Sequence, residues 1–303
     1  YASRGLGDVY KRQVMGRAER MRSPEEFMRT VLDFAEADAR IRLVGMEGSR
    51  VNANIPKDEF QDFDVTYFVD RIEDFTQSDD WLSAFGEIVM MQKPEDMELF
   101  PAEETGYSYL MLFSDYVKMD LTLLEKRHLP AYLAADGLCT ILLDKDGDVP
   151  QPPAPSDRRY HLQKPSARSF DDCCNEFWNL GTYVTKGICR GERLYAADLM
   201  QLMRSELLRM LAWQVGLRRG YTFSIGKNYK FLPQYLEDET REALYSTYRM
   251  DSAEALWQAL ETCQRLFRAA SGALAAALGY AYPPYDRSIT AYTAHYKARF
   301  GPK

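Results

Sequence analysis

The pair Gly48-Ser49, followed after a short polar stretch by Asp62-Phe63-Asp64, constrains this chain more than any other feature. The two aspartates open an apolar run, Val65-Thr66-Tyr67-Phe68-Val69, that reads as a buried strand. Side chains alternate along a strand, so both carboxylates are expected on one side of it, bringing two hard oxygen ligands to one point. Magnesium favours such oxygens and commonly shares them with substrate phosphates. A third carboxylate fits the same picture. Asp120 stands in Tyr116-Val117-Lys118-Met119-Asp120-Leu121-Thr122-Leu123-Leu124, a second apolar run with an acid where burial is expensive unless a cation answers it. An isolated D-x-D is weak evidence, because aspartates commonly sit at turns. The combination is stronger: a glycine turn where backbone can approach a phosphate, paired aspartates on the next strand and a lone aspartate on a third.

The flanking pattern supports that order. Ser23-Pro24-Glu25-Glu26 has a capping serine, a proline at the first helical position and a glutamate three residues after the cap, so a helix is expected to open there with Phe27, Val31, Phe34 and Ala35 as its apolar stripe. Ile41 to Met46 reads as a short strand running into the Gly48-Ser49 turn. The segment Val149 to Ser156 carries four prolines and reads as a stiff spacer. Helices are expected beyond it at Asp171 to Gly187, at Leu194 to Val215 closed by Gly216, and at Ser252 to about Leu278. In the second of these, Leu199, Leu202, Met203, Glu206, Leu207, Met210 and Leu211 recur at helical spacing and mark a face buried in a bundle. The fold class is therefore α+β, with a mixed domain at residues 14–156 and a helical domain at 157–303.

Other features exclude alternatives. No stretch approaches the roughly 20 apolar residues of a membrane span, and no export signal is recognisable, so a cytoplasmic protein is expected. The net charge of −7 disfavours a nucleic-acid partner and suits a cationic small molecule. Five cysteines have neither a secreted disulfide framework nor zinc-site spacing, and three histidines are scattered. Asp144 to Asp148 resembles the start of a calcium loop but lacks its later glycine and glutamate, and reads as a turn. No dinucleotide fingerprint or P-loop occurs. The acidic stretch Glu95, Asp96, Glu98, Glu103, Glu104 reads as a solvated loop, and residues 1–13 are given no role. Gly226-Lys227-Asn228 places a lysine in a turn, where it is either a plain surface charge or a point charge for a triphosphate.

In order and spacing these residues resemble the nucleotidyltransferase superfamily that includes polymerase beta and the antibiotic-modifying enzymes: hG[GS], a loop, DhDh and a later carboxylate. More narrowly, the chain is similar, from about Glu19 to Tyr248, to the aminoglycoside 6-adenylyltransferase family. Outside the catalytic pattern the likeness is carried by Lys57 to Gln61, Leu142 to Asp146, Cys173 to Trp178 and Gly226 to Asn228. The resemblance implies a polymerase-beta-like catalytic domain followed by a helical bundle. It implies transfer of AMP from ATP to a hydroxyl of an aminoglycoside, with streptomycin first among them and pyrophosphate released. By the same likeness Gly48, Ser49, Arg50 and Lys227 contact the nucleotide, Asp62 and Asp64 hold Mg2+, and Asp120 is either a third ligand or the base. Glu176, Asp198 and Glu206 are candidates to meet the cationic acceptor. A different acceptor, such as a lincosamide or a protein, and a non-catalytic nucleotide-binding module are the competing readings.

Overall fold

The computed structural model describes residues 21–102 and 105–301. Residues 1–13, the start of the family likeness at Glu19, and Glu103 and Glu104 of the acidic stretch lie outside the described residues. The chain divides into two compact units after Arg159.

The first unit opens with α1 (Pro24–Ala37). Its capping box forms as the sequence predicts: Ser23 Oγ accepts from Glu26 N at 3.1 Å, and Ser23 N donates to Glu26 Oε2 at 2.8 Å. Phe27, Val31 and Ala35 fall on successive turns of one face and are fully buried. At the other end the Lys145 ammonium donates to the carbonyls of Ala35, Glu36 and Asp38 at 2.6, 3.0 and 3.0 Å, satisfying acceptors that a helix terminus leaves open.

Behind α1 lies a sheet of β1 (Ile41–Glu47), β2 (Phe63–Val69), β3 (Ile88–Gln92), β4 (Tyr107–Phe113), β5 (Lys118–Glu125) and β6 (Cys139–Asp144), in the order β3-β4-β5-β2-β1-β6. β2 and β5 run parallel, and the other neighbouring pairs are antiparallel. The two faces differ. Phe63, Val65, Tyr67 and Val69 of β2 join Met119, Leu121 and Leu123 of β5 and the apolar stripe of α1 in one core. On the opposite face Leu43, Phe68 and Leu124 pack at one end under Leu129 and Tyr132 of the short helix Leu129–Ala135.

The second unit is helical: α4 (Ala167–Cys189), α5 (Arg193–Arg219), α6 (Asp238–Ser246), α7 (Ala253–Leu278) and α8 (Tyr285–Phe300), with the segments Glu73–Thr76 and Leu129–Ala135 of the first unit counted as α2 and α3. α4 packs on α5 and α8, and α5 on α7. Two expectations need correction here. Gly216 does not close α5, which continues to Arg219; it stands inside the helix at a position where a Cβ would run into the Tyr221 ring. The terminating glycine is Gly220, at φ 86°. Nor does Leu202 belong to the buried face, being 54% exposed, while Met200 and Arg204 are fully buried. Arg204 is accommodated because its guanidinium donates to Thr247 Oγ1, the Thr247 carbonyl and Gln201 Oε1 at 3.0, 2.7 and 2.7 Å. Among the described residues no helix is long and apolar enough to cross a membrane.

The Ser23 cap predicts that Ser23→Ala destabilises the first unit by about 1 kcal/mol, lowering its thermal midpoint by roughly 2–4 °C. Calorimetry of wild type and variant would check it, and an unchanged midpoint would contradict the role given to the cap.

Candidate active site

Strand register assembles the site. Glu47 of β1 lies opposite Asp64 of β2, and Asp64 lies opposite Asp120 of β5. Residues paired across neighbouring strands project from the same face, so three acids form a row at the end of the sheet that α3 leaves uncovered. Asp62, just before β2, reaches the same place: the Lys118 ammonium donates to Asp62 Oδ2 at 2.8 Å and to Asp120 Oδ2 at 3.2 Å. Thr66, Thr122 and Ser108 stand side by side next to the acids, and Thr66 Oγ1 donates to Glu47 Oε1 at 2.8 Å. This face of the sheet therefore grades from acids through hydroxyls to the apolar patch under α3.

Crowding of like charges in a partly buried setting shows in the titration of Asp64. Burial first, then Asp120, Asp62 and Glu47, push its carboxyl up to about 6, with Lys118 pulling the other way. Asp120 Oδ1 is buried without a hydrogen-bond partner. Lys118 Nζ is 3.1 Å from that oxygen, within ion-pair range but without the angle of a hydrogen bond, so the contact is Coulombic alone. Burial opposes the charge on Lys118, yet its bonds to Asp62 and Asp120 prevail and hold its pKa above the ordinary lysine value. Among the described residues no group of three or more His, Cys, Asp or Glu side chains is arranged to enclose a metal ion as it stands. The donor set nevertheless suits a divalent cation: hard oxygens, more negative charge than one ammonium offsets, and one buried oxygen lacking a hydrogen-bond donor. Asp62, Asp64 and Asp120 are the residues that could hold it.

The connection from Gly48 to Asp62 is held by its own side chains. Gly48 sits at φ 72° as the first residue of a 3-10 turn, Gly48–Val51, and a Cβ there would collide with the Asp64 carboxylate. Lys57 Nζ donates to the carbonyls of Ser49, Arg50 and Asn52 at 3.2, 2.5 and 3.1 Å, and Gln61 Nε2 donates to the Ser49 carbonyl at 3.1 Å. Arg50 donates to the carbonyls of Asp62 and Gln61 at 3.0 and 2.5 Å and lies over the Phe63 ring at 3.5 Å. Its guanidinium is thus turned towards the loop backbone that precedes the paired aspartates. Burial lowers its pKa, with Asp62 and Asp64 offsetting part of that effect.

In the second unit, Glu176 of α4 and Glu206 of α5 line one cleft of about 310 Å³ together with Ser169, Asp172, Cys173, Arg209 and Trp213. Arg209 donates to Glu206 at 2.9 Å and Arg168 pairs with Asp172 at 3.0 Å, with Glu176 the third acid of the cleft. Asp198 is exposed on α5 outside that lining. Lys227 is exposed in a turn where Gly226, Asn228 and Tyr229 all have positive φ, at 76°, 55° and 61°. Sequence reasoning missed Glu47 and Lys118 as members of the site. Glu47 becomes visible only through the β1–β2 register, whereas Lys118, two residues before Asp120 on the same strand face, was legible from alternation alone.

With the geometry in place, comparison with known proteins is decisive. Residues 21–296 match the family described as streptomycin adenylyltransferase. The chain belongs to that family. It is 54% identical over 282 residues to an aminoglycoside 6-adenylyltransferase of Campylobacter jejuni, covering 93% of this chain and 98% of that protein. It is 51% identical over 276 residues to the enzyme of the same name from Bacillus subtilis (strain 168), covering 90% and 97%. A crystal structure of an aminoglycoside 6-adenyltransferase from Bacillus subtilis is 45% identical, with 91% of this chain and 98% of that chain covered and a TM-score of 0.45. The protein is an adenylyltransferase, with the nucleotidyltransferase-like α+β fold of its family.

The raised Asp64 pKa has a stability consequence with a definite sign. An unfolded aspartate ionises near pH 3.9, whereas this one ionises at about 6. Its charge therefore weakens the folded state fully above pH 6, and the penalty disappears as pH falls from 6 towards 4. Asp64→Asn should raise the thermal midpoint by a few degrees in chelator at pH 7.5 and give no gain near pH 4. An equal midpoint for both proteins at pH 7.5 would contradict the crowding.

Proposed function

We propose that this adenylyltransferase moves AMP from ATP to a hydroxyl of an aminoglycoside, streptomycin first among candidates, in a magnesium-dependent reaction that releases pyrophosphate and confers resistance. The row Asp62, Asp64, Asp120 beside the Gly48-Ser49 turn carries the reading, and the names of the relatives support the class of acceptor. The residues up to Arg159 form the catalytic domain, and those beyond bind the acceptor. The cytoplasm, where ATP is made available, is the compartment this chemistry needs.

The reaction is an in-line attack by a hydroxyl on the α-phosphorus, so positioning and charge stabilisation matter more than a covalent intermediate. Ser49 is assigned to the triphosphate; it follows Gly48 in the tight turn that packs against the Asp64 carboxylate, which supports that role. Magnesium held by Asp62 and Asp64 would supply positive charge to the phosphates and the departing pyrophosphate. Asp120 has one oxygen bonded to Lys118 and one without a hydrogen-bond partner, so Oδ1 is suited to take the proton of the attacking hydroxyl or to join the metal shell. Lys227 is assigned to the nucleotide as a point charge. In the second unit Glu176, Asp172 and Glu206, beside the Trp213 indole, form a cleft suited to ammonium and guanidinium groups. Asp198, outside that cleft, is left an outer charge that draws in the polycation.

Incubation with ATP, Mg2+ and an aminoglycoside panel, read by mass spectrometry, should show one added AMP. Transfer to a lincosamide alone would move the acceptor, and no transfer to any acceptor would overturn the reading. Asp62→Asn and Asp64→Asn should each reduce turnover by at least about two to three powers of ten while circular dichroism stays native; full activity in either would refute the metal assignment. Glu176→Gln should raise KM for the aminoglycoside by up to about fivefold, the loss of one exposed charge contact worth at most about 1 kcal/mol, and flatten the salt dependence of kcat/KM. An unchanged KM would remove Glu176 from the acceptor site.

A further inference from the structure

Lys118 lies where the acids converge, and nothing in the reaction as described above requires it. It stands two residues before Asp120 on β5, so alternation brings its side chain to the same face. Its ammonium lies 2.8 Å from Asp62 Oδ2 and 3.1 and 3.2 Å from the two oxygens of Asp120. Among the described residues no other cationic side chain is within ion-pair distance of either carboxylate. Magnesium needs carboxylate oxygens at about 2.0–2.1 Å. An ion shared by Asp62 and Asp120 would therefore press against an ammonium already touching both, with like charges facing each other. One of the two cations has to leave. Lys118 is able to, because its side chain is 41% exposed and lysine carries its charge on a flexible four-carbon stem.

We infer that Lys118 is a displaceable cation of the site: its ammonium holds Asp62 and Asp120 together in the metal-free enzyme and competes with the divalent ion for the gap between them. The inference rests on the metal assignment proposed above, with Asp120 in the metal shell beside Asp62 and Asp64. It explains how four acids, Glu47, Asp62, Asp64 and Asp120, are tolerated at one sheet end before substrates arrive. It also couples metal to nucleotide. A bare ion must evict the ammonium into water, whereas an ion arriving with a triphosphate brings negative oxygens to which the displaced ammonium can turn.

The test is binding of Mn2+ without nucleotide, followed by electron paramagnetic resonance of the unbound ion, together with thermal midpoints in chelator. Lys118→Met keeps the apolar stem and removes the charge, and Lys118→Gln repeats the test with a polar end should the first variant fold poorly. Both should bind Mn2+ about tenfold more tightly than wild type, equivalent to about 1.4 kcal/mol. Both should melt lower than wild type in chelator and recover when Mn2+ is added. Lys118→Arg, which keeps the charge, should bind Mn2+ as weakly as wild type. Equal or weaker Mn2+ binding by the Met and Gln variants would overturn the role of Lys118 while leaving the metal assignment standing. Absence of binding in wild type and every variant, at millimolar Mn2+ and with ATP added, would overturn both.

Discussion

Mutual repulsion among carboxylates is the constraint around which the first unit is organised. Backbone pairing places Glu47, Asp64 and Asp120 on three adjacent strands in one row, and a strand register cannot relax to separate them without moving every other side chain to the wrong face. The apolar face of the same strands, buried against α1, locks that register. The stability of the core thus holds the acids in an arrangement they would not adopt alone; burial first, and then the neighbouring acids, push the Asp64 carboxyl up to about 6. A site built in this way suits cations, and in this structure the Lys118 ammonium fills that place.

The loop before β2 serves the same end. Arg50, Lys57 and Gln61 spend their donors on carbonyls of residues 49–52 and 61–62, so the turn that faces Asp64 is fixed by side chains the loop itself carries. Asn54 adds a tether, donating to the buried Asp157 at 2.9 Å, and so ties the loop to the end of the proline-rich spacer. Preorganisation of this kind removes the ordering cost that a floppy loop would incur on binding any ligand. In the second unit the acidic cleft is built differently, from two long helices whose packing is apolar at Phe177, Trp178, Met203 and Leu207, with Glu176 and Glu206 at its border.

Much of this was legible in the chain itself. The capping box at Ser23, the strands around Gly45, Val65 and Leu121, and the long helices α4, α5 and α7, though not α8, follow from local pattern, because each is specified by residues close in sequence. β3, β4 and β6 were not anticipated. β4 joins β5 through a turn in which Tyr116, not glycine, takes φ 66°, and β6 is defined by long-range pairing with β1. Gly216 and Leu202 misled for a related reason: whether a glycine ends a helix or admits a neighbouring ring, and which apolar side chain faces inward, depend on partners distant in sequence. The acids of β2 and β5 could be named from spacing, but Glu47 could not, since its membership depends on which residue it faces across the ladder. The direction of Arg50 was hidden too, because an arginine beside a phosphate turn and an arginine bonding its own loop share one sequence.

The central claim is that one divalent ion is held by oxygens of Asp62 and Asp64 next to a bound nucleotide. The most direct measurement is an anomalous-scattering map at the manganese edge from crystals grown with Mn2+ and a non-hydrolysable ATP analogue. The account predicts a peak within about 2.0–2.3 Å of a carboxylate oxygen of each aspartate and of a phosphate oxygen. A peak elsewhere on the chain, or nucleotide bound with the Lys118 ammonium still seated between Asp62 and Asp120 and no metal beside them, would contradict it.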